Sequence, residues 1–349
     1  MKNNLVNGNR QPLRVVFLGS GEIGLPTLKR LEGADEVDLC ACVTQPDRRC
    51  GRGRRLQPTP VGEYCQNTKC CELLKVDDVN APEVVGRLSA LTIDFLVVFA
   101  FGQLLKRLLL KLARIAPINL HASLLPRYRG ASPIQAAILN RDRETGISVM
   151  KMVRRLDAGP VYTQHKLALD GSEDTPTLTS RLGELAAHHI IDDLTAIADG
   201  RLLAKKQCAA EATYAPLIRK EDGLIDFQAP AAEIEAKVRA YKPWPGAYFF
   251  VHTGKSGGHF RKCIIREAEV VANDCGAPAG TVIEASKAGL VIACGDQALK
   301  INRLVPEGKR EMDSHSFLQG YTFIKAGIRI YETDYCQSRE TADSGGSSR

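Results

Sequence analysis

An amide and an imidazole lie close together at the end of a predicted strand. The apolar run after Pro117 predicts a buried strand, and Asn119 and His121 lie near its end, two positions apart. Alternate side chains of a strand share a face, so these two point the same way. An amide beside an imidazole can hydrogen-bond a carbonyl oxygen that becomes negative in a transition state. The alternative is structural, with a histidine satisfied in the core and an asparagine that caps a turn.

The residues that follow predict a ligand site and offer a carboxylate. Pro126 stiffens the next loop, Gly130 gives its end conformational freedom, and Pro133 suits the first turn of a helix. Open α/β sheets bind ligands where a buried strand ends. Farther along the chain, Asp157 lies in the Leu-Asp-Ala-Gly turn 156–159. An aspartate there often bonds its own backbone, so a structural interpretation competes with a catalytic one.

A strongly basic stretch follows the second predicted strand. Residues 44–61 carry five arginines against one acid, Asp47, with Gly51 and Gly53 between them. The arginines are Arg48, Arg49, Arg52, Arg54 and Arg55. A mobile cationic finger of this kind suits a phosphate backbone, because arginine can fork onto phosphates or base edges. The alternative is a solvated surface loop.

The first strand ends in a glycine fingerprint. Residues 19–24 read G-x-G-x-x-G after an apolar run and before a helical pattern, as in dinucleotide-binding folds. The acid that such folds carry at the end of the second strand is missing, since Thr44 and Gln45 stand there. A tight turn between strand and helix explains the glycines equally well.

Length and composition predict a globular protein of two domains. The 349 residues exceed one ordinary core, while 44% hydrophobic and 25% charged residues are typical of soluble proteins. The first twelve residues lack an apolar core, so no secretory signal is expected. The 11 cysteines lack the paired spacing of zinc sites, which predicts free thiols in a reducing cytosol and no metal. The net charge of +7 permits a polyanionic partner.

The pattern of elements predicts an α/β fold followed by a small β domain. Apolar runs alternate with helical patterns, including one over 104–113, which indicates a doubly wound, mostly parallel, Rossmann-like sheet. Short strands with glycine turns then favour a small barrel of the OB type. We predict a disordered segment 1–12, a catalytic domain 13–204, a linker 205–213, a second domain 214–331 and a disordered tail 332–349.

The run from Asn119 to Gly130 resembles the signature Asn-x-His-x-Ser-Leu-Leu-Pro-x-x-x-Gly of the 10-formyltetrahydrofolate-dependent formyltransferases. The family's essential aspartate lies in a matching Leu-Asp-x-Gly segment. The resemblance implies that Asn119, His121 and Asp157 are catalytic. It also implies folate contacts from Phe101 and Gly102, and from the residues Ser123, Leu124, Leu125 and Pro126.

The basic stretch is similar to the loop that distinguishes methionyl-tRNA formyltransferases, Thr-Gln-Pro-Asp-Arg…Gly-Arg-Gly…Leu…Pro-x-Pro-Val. The resemblance covers roughly residues 13–329. It implies that the five arginines contact tRNA, that the C-terminal domain helps to hold it, and that the reaction forms formylmethionyl-tRNA without a metal. A cytoplasmic monomer that makes no membrane contact is expected. Ala122, Tyr128 and Arg49 depart from the family's usual glycine, tryptophan and proline.

Other functions remain open on the residues alone. A formyltransferase acting on a small amine, or a formyltetrahydrofolate hydrolase, would share the Asn-His-Asp set without needing the arginines. An NAD-dependent oxidoreductase would use the glycine fingerprint. A non-catalytic RNA-binding module would use the arginines and the barrel, with no need for polar groups at the central strand.

Overall fold

The computed structural model describes residues 11–50, 53, 55–252 and 260–330. The chain forms two compact units. The first comprises 1–133, 143–169 and 177–216, and the second 134–142, 170–176 and 217–349, each within the described ranges. The ends predicted to be disordered are 1–12 and 332–349. Of these, residues 1–10 and 332–349 lie outside the described ranges.

The chain up to the end of the first unit alternates strands and helices, as its hydrophobic pattern predicts. The strands are β1 (Leu13–Gly19), β2 (Val37–Thr44), β3 (Arg48–Cys50), β4 (Arg55–Gln57), β5 (Glu72–Lys75), β6 (Phe95–Phe99), β7 (Ala116–His121), β8 (Arg129–Gly130), β9 (Glu144–Lys151), β10 (Val161–Ala168) and β11 (Tyr214–Ala215). The helices are α1 (Leu25–Glu32), α2 (Pro60–Thr68), α3 (Pro82–Ser89), α4 (Arg107–Leu110), α5 (Pro133–Leu139) and α6 (Thr175–Ala198).

A seven-stranded sheet forms the centre of the first unit, in the order β10-β9-β7-β6-β1-β2-β5. The five strands from β7 to β5 in this order are parallel. β9 pairs antiparallel with β7, and β10 pairs antiparallel with β9. The chain runs outward from β1 in one direction and then from β6 in the other, so β1 and β6 flank the switch point where such sheets bind ligands. The predicted doubly wound, mostly parallel sheet is confirmed.

Close packing explains the glycine fingerprint at the end of β1. A Cβ atom on Gly19 would lie 2.6 Å from the Phe17 ring and 3.0 Å from the Phe99 carbonyl oxygen. A Cβ atom on Gly24 would lie 3.1 Å from the same ring. These distances leave little room for a side chain at Gly19 and Gly24, whereas a Cβ atom on Gly21 would make only ordinary contacts, the nearest at 3.5 Å. The packing of the first and last glycine favours the tight-turn interpretation.

Two local predictions need correction. The helix predicted over 104–113 is only α4, Arg107–Leu110, because Leu104 and Leu108 are 60% and 71% exposed and their burial cannot stabilise a longer helix. The basic finger is not a simple loop: β3 and β4 pair as an antiparallel hairpin, with Arg48 opposite Gln57 and Cys50 opposite Arg55.

The second unit contains an antiparallel sheet. Its strands are β12 (Ala247–His252), β13 (Phe260–Val271), β14 (Val282–Ser286), β15 (Gly289–Ala293), β16 (Ala298–Pro306) and β17 (Met312–Asp313), with helices α7 (Ala231–Ala240) and α8 (Ser314–Gly320). The order is β12-β13-β16-β15-β14, and β17 pairs with β16. Phe227, Phe249 and Phe317 are fully buried in its core. The β domain is confirmed, and the OB-type barrel remains a prediction.

Within the described ranges, none of the helices combines the length and the apolar character that crossing a bilayer requires.

Candidate active site

The end of β7 places the two polar side chains that the sequence singles out. His121 is 5% exposed, and its Nε2 lies 2.8 Å from the carbonyl oxygen of Tyr128. That oxygen can only accept, so Nε2 carries a proton and Nδ1 is the ring nitrogen left for other partners. Asn119 is half-buried, and its amide has no hydrogen-bond partner in the described part of the chain. The amide is therefore free to bind a ligand.

Asp157 joins His121 at this strand end. Its Oδ2 lies 3.7 Å from Nδ1 of His121 and accepts a hydrogen bond of 2.9 Å from the backbone N–H of Gly130. At 3.7 Å the two groups make no direct hydrogen bond, and the carboxylate attracts the imidazole only when the ring is protonated. The structure thus brings His121 and Asp157 together and leaves both with capacity for a substrate proton.

Burial lowers the pKa of His121 below its ordinary value, against the opposing influence of Asp157 and the Tyr128 carbonyl. The imidazole is therefore neutral at neutral pH, with its unprotonated Nδ1 on the Asp157 side. A neutral Nδ1 beside a carboxylate can accept a proton from a bound amine, and the carboxylate then stabilises the imidazolium.

The buried imidazole predicts a loss of stability in mild acid. A histidine with a lowered folded-state pKa gives stability that is fully present above its unfolded pKa of about 6.5 and declines as the pH falls below it. We expect the urea midpoint of unfolding to fall between about pH 7.5 and about pH 5.5. The fall in the urea midpoint should be smaller in His121→Gln, because glutamine cannot titrate. Equal falls in the wild type and in His121→Gln would show that His121 is not the source of the acid sensitivity.

A segment far along the chain holds the loop beside the site. Residues 205–213, predicted as a polar linker, belong to the first unit and are hydrogen-bonded to its other segments. Thr213 accepts from the N–H of Tyr128 through Oγ1 at 2.9 Å and from the N–H of Arg129 through its carbonyl. β11 then pairs with β8, where a Cβ on Gly130 would lie 2.5 Å from the Ala215 carbonyl oxygen. The glycine is required by this close approach.

Gln207 links the two sides of the site. Its Nε2 donates to the carbonyl oxygens of Asp157 and Gly159, at 2.8 and 2.7 Å. Its Oε1 accepts from the guanidinium of Arg129 at 2.7 and 3.1 Å. Tyr128 and Asp157 adopt left-handed backbone conformations, with φ of 58° and 46°, which cost about 1–3 kcal/mol each. The Gln207 and Thr213 hydrogen bonds hold these conformations in place.

Sequence reasoning missed Gln207, because a glutamine in a polar stretch carries no motif. We expect Gln207→Leu to lower kcat about 10- to 100-fold with little change in the KM for folate, since the carboxylate of Asp157 would be misplaced rather than removed. Steady-state kinetics at saturating tRNA measure this. Gln207→Glu keeps the acceptor for Arg129 but loses both donors to the Asp157 and Gly159 carbonyls, so its kcat should fall as well. Gln228→Leu on the exposed surface is the control. A rise of about 10- to 100-fold in the KM for folate without a fall in kcat would contradict a positioning role for Gln207.

The Ser-Leu-Leu-Pro segment is held by neighbouring strands of the sheet. Ser148 Oγ accepts from the N–H of Leu125 at 2.9 Å and donates to the carbonyl of Ser123 at 2.6 Å. Gln164 donates to the carbonyl of Leu125 at 2.8 Å. The hydroxyl of Ser123 is itself buried and donates to the carbonyl of Arg127. Leu124 and Pro126 are half-buried and Leu125 is buried. The segment can therefore contact a ligand through its backbone and apolar surface more than through free polar side chains.

The Phe101–Gly102 turn lies at the switch point of the sheet. Phe101 is 2% exposed and packs in the core, so its side chain does not line an open pocket. Its carbonyl oxygen accepts from Gln45 Nε2 at 2.9 Å and from the hydroxyl of Ser20 at 3.3 Å. Gly102 is exposed, with φ of 81°. Only Gly102 leaves backbone available to a flat ligand.

The arginine hairpin presents charge on its faces. Arg48 on β3 lies opposite Gln57 on β4, and Gln57 and Arg55 are alternate residues of the same strand. Arg48 and Arg55 therefore lie on one face of the hairpin. Both are exposed, as is Arg49 on the opposite face beside Leu56, which is 64% exposed. Arg52 and Arg54 lie outside the described residues. The Asp47 carboxylate at the base of the hairpin pairs with Lys75.

Comparison with known proteins agrees with this geometry. The sequence model of the formyl transferase family matches residues 13–194, and that of the formyl transferase C-terminal domain matches 217–322. The methionyl-tRNA formyltransferase of Geobacter metallireducens is 39% identical over 318 residues, covering 91% of this chain and 98% of the relative. That of Caldanaerobacter subterraneus is 40% identical, covering 90% and 99%.

The chain belongs to the methionyl-tRNA formyltransferase family. The resemblance drawn from the two motifs is therefore confirmed, and the chain is an enzyme of the formyl transferase class.

Solved structures share the fold of this formyltransferase. An N-formyltransferase from Helicobacter canadensis, complexed with folinic acid and dTDP-3-aminofucose, matches with a TM-score of 0.59 at 16% identity, covering 83% of this chain and 99% of that one. HypX from Aquifex aeolicus, complexed with tetrahydrofolic acid, matches with a TM-score of 0.56 at 15% identity, covering 88% of this chain and 47% of that one. At these identities the likeness establishes the fold alone.

Proposed function

We propose that the enzyme transfers the formyl group of 10-formyltetrahydrofolate to the α-amine of methionyl-initiator-tRNA. The observation that carries this proposal is the free amide of Asn119 beside the buried His121–Asp157 pair, on the strand end that the family motif occupies. The acceptor is inferred from the family and from the arginine hairpin. The proposed enzyme is a cytoplasmic monomer with a catalytic domain over 13–204, a linker over 205–213 and a tRNA-binding OB-like domain over 214–331.

The reaction begins when the neutral amine attacks the formyl carbon. A carbon–nitrogen bond forms, and the formyl oxygen becomes an oxyanion. The amide N–H groups of Asn119 donate to that oxygen, and they have no internal partner to give up in the described structure. Preorganised donors of this kind stabilise developing charge without reorganisation.

Proton transfer completes the step. Nδ1 of His121 takes the proton that the attacking amine loses, and Asp157 at 3.7 Å stabilises the resulting imidazolium. The intermediate then collapses, the bond between the formyl carbon and N10 of the folate breaks, and the imidazolium returns its proton to N10. In the protonated state Nδ1 can also donate to the oxyanion, the role predicted for His121 from the sequence. The proposed chemistry routes no step through a metal.

The arginine hairpin is proposed to bind the tRNA. We expect Arg48→Gln with Arg55→Gln to raise the KM for methionyl-tRNA and to reduce the slope of log(kcat/KM) against log[salt] by about 0.7–0.9 for each tRNA phosphate that is no longer neutralised. Folate affinity should be unchanged. Arg107→Gln, an exposed arginine of α4, is the matched control. A salt slope equal to the wild type would contradict the proposal, and equal weakening on both ligands would indicate misfolding. Arg52 and Arg54 are proposed to act in the same way.

A formylation assay tests the proposed function. Purified protein, 10-formyltetrahydrofolate and methionyl-initiator-tRNA are mixed, with free methionine and uncharged tRNA as controls, and formylmethionyl-tRNA is measured. Product only with the charged tRNA supports the proposal. Folate turnover without formylmethionine would move the acceptor to water or a small amine. Binding of NADH with no folate turnover would favour an oxidoreductase instead.

A further inference from the structure

A group of cysteines meets in the first unit, away from the strand ends just described. Cys65 lies in the last turn of α2, and Cys70 and Cys71 lie in the connection from α2 to β5. Their three sulfur atoms all lie within 4.8 Å of one another. A fourth thiol, of Cys42 on β2, is fully buried, and it is not among the three sulfurs that lie within 4.8 Å of one another. Three thiols, from the end of α2 and from the connection that follows it, therefore converge.

The sulfur spacing matches that of a tetrahedral metal centre. Sγ of Cys70 lies 3.9 Å from Sγ of Cys65 and 3.8 Å from Sγ of Cys71. A tetrahedral zinc ion with Zn–S bonds of about 2.3 Å holds its sulfurs about 3.8 Å apart. Thiolates are soft ligands that select zinc over magnesium or calcium. The ligand type and the spacing therefore point to the same class of ion.

We propose that Cys65, Cys70 and Cys71 form the core of a structural zinc site, and that the thiol of Cys42 moves in as the fourth ligand when the ion binds. The buried Cys42 and Cys65 form the floor of the site. Cys70 and Cys71 are half-buried, which gives the ion a route of entry. With Cys42 bound, four thiolate ligands would complete the tetrahedral shell and leave no position for a substrate, as in structural rather than catalytic sites.

The position of the site supports a structural role. Cys42 lies on β2, whereas His121 lies on β7, and the order β7-β6-β1-β2 separates these strands by about 14 Å at the usual strand spacing. An ion held there would tie β2 to the end of α2 and to the start of β5. The sequence-based prediction of no metal rested on the absence of paired cysteine motifs, and this site is assembled by the fold instead.

Metal analysis of the full-length protein tests the proposal. Protein purified under reducing conditions without chelator is equilibrated with zinc, freed of excess metal and analysed for zinc and protein. We expect one zinc ion per chain. Cobalt in its place should give the intense visible absorption of a tetrahedral thiolate site. Cys70→Ser and Cys71→Ser should each weaken zinc binding by at least about tenfold, the least that changes around zinc sites usually cost.

Matched variants separate this site from other thiols. Cys208→Ser and Cys275→Ser change exposed cysteines outside the cluster and should bind zinc as the wild type does. Zinc should raise the melting temperature of the wild type and of these controls by more than that of Cys70→Ser, whose substitution lies outside the buried core. Wild-type protein with reduced thiols that binds no zinc would overturn the proposal. So would undiminished binding in the Cys70→Ser, Cys71→Ser double variant, or a disulfide between Cys65 and Cys70 in protein alkylated directly on cell lysis.

Discussion

Asp157→Asn is expected to lower kcat for formyl transfer by about 10²- to 10⁴-fold, the range of a general acid–base contribution. The substitution removes the negative charge that lies 3.7 Å from Nδ1 of His121. The imidazolium formed when the amine loses its proton would then be stabilised only by the Tyr128 carbonyl. The amide oxygen of asparagine can still accept the Gly130 N–H, so the loop should keep its place.

The control for this variant is a second buried aspartate beside a histidine. Oδ2 of Asp193 on α6 lies 2.8 Å from Nε2 of His165 on β10, and Asp193 is 6% exposed. Asp193→Asn makes the same chemical change outside the proposed site and should leave kcat within a few-fold of the wild type. Single-turnover rates at saturating folate and tRNA measure both variants. A rate for Asp157→Asn equal to that of Asp193→Asn would remove Asp157 from the mechanism.

The second large effect is expected for Asn119→Ala, with kcat lowered by about 10²- to 10³-fold, as for other oxyanion donors. The side chain makes no internal hydrogen bond in the described structure, so its removal leaves no protein group unsatisfied. Stability and tRNA affinity should therefore be close to those of the wild type, and the loss should fall on the transition state.

Asn140→Ala is the control for Asn119→Ala, because Asn140 is an exposed asparagine that bonds only the Ala136 carbonyl one turn earlier. The two variants should have similar melting temperatures and similar affinities for a non-reactive folate. A wild-type rate in Asn119→Ala would show that the oxyanion is held elsewhere. A fall in folate affinity as large as the fall in kcat would assign Asn119 to ground-state binding instead.

Periodic hydrophobic patterns predicted most of the fold, because burial decides them. The fully buried β6 appears in the sequence as a continuous apolar run, and α6 is bounded by Thr175–Pro176 and Asp199–Gly200 in the sequence. The 104–113 pattern misled because Leu104 and Leu108 are exposed while Leu105 and Leu109 are buried, and the pattern cannot tell which leucines of a short helix find a partner. The β3–β4 hairpin was hidden by a high charge, which is more typical of a loop.

The site was predictable where it rests on local sequence and not where it rests on distant contacts. The shared face of Asn119 and His121 follows from a strand's alternation, whereas Asp157 was singled out by the resemblance of its turn to the family's Leu-Asp-x-Gly segment. The hydrogen bonds of Gln207 to Asp157 and Arg129 join residues 50 and 78 positions apart, and no local pattern encodes them. The cysteine cluster was hidden for the same reason, since a hairpin separates Cys42 from Cys65 along the chain.

The docking of 205–215 onto the catalytic loop affects when activity arises during synthesis. Tyr128 and Thr213 are 85 positions apart, so the sheet that carries His121 can be complete before its loop is clamped. Closing so long a loop is slow relative to local folding. A nascent chain that has emerged only as far as α6 would then be a folded sheet without an organised Asp157. We expect activity to be gained late and in one step, once 205–215 has bound the loop, which assays of chains released at different lengths would measure.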